Sequence, residues 1–142
     1  MHLRLLVLLV ACLAAGCGGG PDVVPVSGRV TLDGKPVAGV HVSFQPVATE
    51  GSKNPGGGSY AITDADGRFT LRLVEGGGSG AVAGKHRVEI TTRTEANNTT
   101  DLRVKAADPK AVIPAKYNRN SDLTFDVPAG GTDSADFALT SQ

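Results

Sequence analysis

From Val24 onward, hydrophobic and polar residues alternate in short stretches, each closed by glycine, proline or an Asp-Gly pair. Successive side chains on a strand point to opposite sides, so this pattern reads as strands with one dry face and one wet face. It disfavours a helical bundle and favours many short elements joined by turns. The glycine count of 19 in 142 residues, well above the usual share of about 7%, points the same way, as do 8 Pro and the absence of Trp. The length is that of one domain.

Residues 26–32 form the first expected strand, closed by the tight-turn pair Asp33-Gly34. A second bend over 35–39 leads to 40–46, where Val40, Val42 and Phe44 share one face and His41, Ser43 and Gln45 the other. Residues 47–58 read as a mobile loop rich in Gly, Ser, Asn and Pro. Residues 59–63 and 68–73 flank Asp64-Ala-Asp-Gly67 as a hairpin, with Tyr60 and Ile62 facing inward beside Phe69, Leu71 and Leu73. The Gly-rich run 76–80 precedes 86–92, which turns His86, Val88 and Ile90 inward. Residues 93–111 are the least structured by composition, with a weak helical pattern over 102–107. The runs 113–117, 123–127 and 135–139 bring the total to about seven short strands. The expected fold is an all-β sandwich over 24–142.

The first sixteen residues have a different character. A short basic start, an apolar run from Leu5 to Ala11 and small residues before a cleavage point make a secretory signal peptide. The run is far shorter than the roughly 20 apolar residues a transmembrane helix needs. Ala14-Ala-Gly-Cys17 resembles the lipobox of bacterial lipoproteins, which implies cleavage before Cys17 and acylation of its thiol. Ala14 stands where that family usually has Leu. Leu9-Val-Ala-Cys12 also fits the pattern but would leave too short an apolar run. Both cysteines lie at or before Cys17, so the domain holds no disulfide, cysteine nucleophile or Cys-based zinc site. Residues 17–23 read as a flexible tether, reaching roughly 20–25 Å. The expected location is a lipid anchor on the cell or outer membrane, facing the periplasm or exterior. Lys plus Arg equal Asp plus Glu at 14 each, which excludes the basic excess of a nucleic-acid binder.

The stretch from Val26 to Phe44, containing Gly28-Arg-Val-Thr-Leu-Asp-Gly34, together with Thr63-Asp-Ala-Asp-Gly-Arg-Phe-Thr-Leu71, resembles the carboxypeptidase regulatory-like domain. The resemblance implies a transthyretin-like, seven-stranded Greek-key sandwich and no catalytic residues. Ile113-Pro-Ala-Lys-Tyr117 with Leu123-Thr-Phe125 is similar to the small lipoproteins of planctomycete bacteria.

Individual motifs point away from chemistry. An EF-hand loop beginning at Asp64 places Glu75 at position twelve, but Arg68 and Phe69 fall where an oxygen ligand and a glycine are required. Asp64-Ala-Asp-Gly67 therefore reads as a turn. His41, His86, Tyr60 and Tyr117 match in number the iron ligands of intradiol dioxygenases, but the two His lie far apart in sequence. The C-terminal Tyr-Arg-Gly-Ser of the hydroxyisourate hydrolases is missing, as is a Gly-x-Ser-x-Gly elbow. Gly76-Gly-Gly-Ser-Gly80 lacks the lysine of a phosphate loop. Asn97-Asn-Thr-Thr100 carries two glycosylation sequons, read as loop residues.

The expected function is a non-catalytic, membrane-anchored surface domain with an envelope-structural or protein-docking role, using loops 47–58 and 93–111. It carries no metal or cofactor, and its partners are the membrane, through Cys17, and an envelope protein or cell-wall glycan. The alternative is a carbohydrate-binding module, which an exposed tyrosine would favour. An enzyme would instead gather His86 with Glu89 or Asp126.

Overall fold

The computed structural model describes residues 20–51, 55–92 and 111–142. Its strands are β1 (Val23–Val24), β2 (Ser27–Leu32), β3 (Lys35–Pro36), β4 (Val40–Pro46), β5 (Ser59–Ile62), β6 (Arg68–Thr70), β7 (Arg72–Leu73), β8 (Ala81–Val82), β9 (Gly84–Thr92), β10 (Thr124–Val127) and β11 (Phe137–Leu139). A 3-10 turn over Ala115–Tyr117 stands where one of the later runs was expected to extend. The two main layers form a β-sandwich. One sheet has the order β10-β9-β4-β5-β7, and the other places β2 between β11 and the pair β3 and β6. β11 runs parallel to β2, and a two-stranded ladder of β1 and β8 lies alongside.

The layers close on the alternation read from sequence. Val40, Val42 and Phe44 of β4 are buried, as are Val88 and Ile90 of β9, with Val26, Val30 and Phe69 also in the core. All four phenylalanines of the chain meet here. The Phe44 ring lies 6.4 Å from Phe69, 5.8 Å from Phe125 and 6.0 Å from Phe137. Burying one such ring is worth about 1.5–3 kcal/mol.

The expected hairpin over 59–73 is only half present. Ser59 pairs with Leu73 and Tyr60 with Arg72, but β6 leaves for the other sheet and pairs with β2. Leu71 is the crossing point. It is fully buried, its amide donates to Val26 O, and its carbonyl accepts from Gly80 N. The turn itself is held as expected. One Asp64 carboxylate oxygen accepts from Asp66 N and Arg68 N, both at 2.9 Å. Gly67 has φ +73°, and a Cβ there would fall 2.5 Å from Val30 O. Only glycine meets both conditions.

The inward assignment of Tyr60 and Ile62 is overturned. Register pairs Ala61 with Val42 and Ser59 with Phe44, so Ser59, Ala61 and Thr63 face the core and Tyr60 faces out. The physical reason is register: residues paired across an antiparallel ladder share a face, so the partners of the inward Val42 and Phe44 point inward whatever their size. Thr63 satisfies its buried hydroxyl by donating to Val37 O and accepting from Val40 N.

The last tether residues are paired. Val23 pairs with Val82 in the β1–β8 ladder, and Asp22 O accepts from Ala83 N. Asp22 thus lies beside the Gly84 end of β9. At the opposite end of β9, Thr92 Oγ1 donates to Ala111 O and accepts from Ile113 N. A nine-residue strand separates these two ends by about 27 Å.

Candidate functional site

The outer face of the five-stranded sheet carries the exposed aromatic group. On it, Arg72, Tyr60, Ser43 and Glu89 form one row across β7, β5, β4 and β9. Directly opposed residues on neighbouring strands lie about 5 Å apart, so these side chains form one continuous surface. His41 is Tyr60's diagonal neighbour. The two rings stack with centroids 5.7 Å apart and an interplanar angle of 17°. Tyr60 is 37% exposed, the largest exposure of any aromatic residue described.

Among the described residues this face carries one ion pair. Arg87 pairs with Glu89 at 3.0 Å and also donates to Ser121 O and Arg119 O, which fastens the 118–123 segment to β9. Lys85 lies opposite Asp126 in the β9–β10 register. Arg72 is exposed beside Tyr60, and among the described residues its guanidinium has no ion pair.

The four His and Tyr candidates are not gathered. His41 and Tyr60 share the outer face, while His86 is fully buried with its ring centroid 5.6 Å from Phe44. Its Nδ1 lies 3.0 Å from Gly84 O and donates to it, while Nε2 is buried with no partner. Burial pushes the His86 pKa below 6.5, against the opposing pull of the Gly84 carbonyl and the Asp126 charge. Glu89 faces outward by strand alternation, and Asp126 is exposed on β10, so neither carboxylate joins His86 inside.

Tyr117 lies on the 3-10 turn rather than on a strand. Its hydroxyl accepts from Thr140 N at 3.1 Å and lies 3.2 Å from Thr140 Oγ1, and these bonds lower its pKa. Lys116 donates to Thr140 Oγ1 and Gln142 O, and Asp33 accepts from Ser141 N at 3.0 Å. This cluster clasps the C-terminal tail.

Among the described residues, no three His, Cys, Asp or Glu side chains converge as metal ligands would. No helix among them is long and apolar enough to cross a membrane. Cys17, the sequons at Asn97–Thr100 and loop 93–111 up to residue 110 lie outside the described residues. In loop 47–58, Gly56 packs against Pro21 and Val82.

The family model described as a domain of unknown function, DUF6795, matches residues 26–106, more than half of the chain. The chain belongs to that family. The match takes in β2 through β9 and therefore the whole His41, Tyr60 and Arg72 group of this DUF6795 member. No curated protein matches it, and no solved structure does.

The stacked pair is the feature that sequence reasoning missed. No local signal marks it, because the face taken by each β5 residue is set by the register of β5 against β4.

Proposed function

We propose that this DUF6795 protein is a non-catalytic surface domain of the carboxypeptidase regulatory-like type, held at a bacterial membrane by acyl chains on Cys17. The observation that carries this reading is the polarity of the sandwich. The chain enters beside the Gly84 end of β9, and the stems of the 93–110 segment close at Thr92, about 27 Å away. An anchor at residue 17 then leaves the Thr92 end of β9 facing away from the lipid, with loop 47–58 at the anchored end. The lipobox-like Ala14-Ala-Gly-Cys17 and the short tether after it supply the anchor. One acyl chain holds a protein only marginally, so the proposed attachment uses more than one.

Metabolic labelling with an alkyne fatty acid tests the anchor. Label and membrane fractionation are expected for the wild type and lost in Cys17→Ala. Label persisting in that variant overturns the assignment.

A further inference from the structure

We propose that the outer face of the five-stranded sheet, centred on Tyr60, His41 and Arg72, binds a carboxylated sugar ring of a glycan. The six aromatic residues divide clearly by role. The four phenylalanines form the core cluster, and the Tyr117 hydroxyl clasps the C-terminal tail. Tyr60 alone spends its ring on the surface, where it is ordered by the His41 stack. An aromatic ring accepts the apolar C–H face of a sugar, and its polar surroundings suit hydroxyl groups around that ring.

The neighbours have this character. Ser43 and Gln45 on β4 are polar, and Gln45 donates to Ser43 at 3.1 Å. The core of a protein interface is more apolar than its rim and depleted in Ser and Glu, whereas Ser43 and Glu89 continue the row from Tyr60. Charge selects among sugars. Arg87 is paired to Glu89, and among the described residues Arg72 is the cation set directly beside Tyr60 with no ion pair of its own. Its planar fork matches a carboxylate in two parallel hydrogen bonds. The assignment is independent of the lipid anchor.

Saturation-transfer NMR on the full-length protein in detergent tests it. The probes are the N-acetylglucosamine–N-acetylmuramic acid disaccharide, a glucuronate-containing hyaluronan tetrasaccharide and the neutral N-acetylglucosamine disaccharide. Transfer to sugar C–H protons is expected with an acidic probe, and binding to the neutral disaccharide about fivefold weaker, the size of an exposed charge pair. Response to the muramic disaccharide alone identifies a wall source, and response to both acidic probes a general preference for carboxylated sugars. Arg72→Gln should reduce acidic binding to the neutral level. Tyr60→Ala should abolish transfer, and Tyr60→Phe should keep it, with melting temperatures close to wild type as the control for folding. Equal binding of acidic and neutral probes overturns the proposal, as does transfer that survives Tyr60→Ala or the absence of transfer from every probe at millimolar concentration.

Discussion

Replacing the buried histidine with an apolar ring, His86→Phe, should remove a pH-dependent weakness from the core. His86 is fully buried, and its Nε2 has no partner. An unsatisfied buried polar atom costs about 1–3 kcal/mol, while the bond from Nδ1 to Gly84 O returns about 0.5–1.5 kcal/mol. At pH 7.5 the variant should therefore match the wild type or exceed it by about 1 kcal/mol. The larger effect is at acid pH. The folded-state pKa lies below the unfolded value of 6.5 because burial disfavours the imidazolium. Between the two values the unfolded chain binds more protons, so this contribution is fully present above pH 6.5 and declines as pH falls toward the folded pKa. The decline is at most about 1.4 kcal/mol per pH unit for one proton. Urea denaturation at pH 7.5 and 5.5 measures it. The wild type should lose up to about 1.4 kcal/mol more than His86→Phe between the two, because the variant shares every other titrating group. Parallel losses in both proteins would refute the account of His86.

Four further outcomes follow from the packing. Gly67→Ala should destabilise by about 2–4 kcal/mol in the same titration, since alanine would meet both a positive φ and the Val30 carbonyl. Phe44→Ala, which empties the centre of the aromatic cluster, should cost about 3–5 kcal/mol, whereas Tyr60→Ala on the outer face should cost less than about 1 kcal/mol. Thr63→Val should lose about 1–3 kcal/mol by leaving Val37 O without its buried donor, measured by the shift in denaturation midpoint.

The strands were legible where alternation coincided with size. On β4 the large apolar residues are also the inward ones, so Val40, Val42 and Phe44 were placed correctly. On β5 the two signals conflict. Tyr60 and Ile62 are the larger residues of their strand, yet register against Phe44 turns Ser59 and Ala61 inward. A single strand's pattern cannot reveal what its neighbour occupies, and the aromatic pair on the outer face was lost for that reason. The turn at Asp64-Ala-Asp-Gly67 was readable because its chemistry is local: the carboxylate bonds amides two and four residues on. The split of the hairpin was not, because the bonds from Leu71 to Val26 and Gly80 join distant parts of the chain. The parallel pairing of β11 with β2 likewise brings together the two ends of the domain, which no local pattern encodes.

Intact mass spectrometry of the protein extracted from native membranes tests whether the sandwich is displayed from an acylated residue 17. The expected mass is that of a chain beginning at Cys17 plus its acyl groups. A chain beginning elsewhere, or beginning at Cys17 with an unmodified thiol, would contradict it.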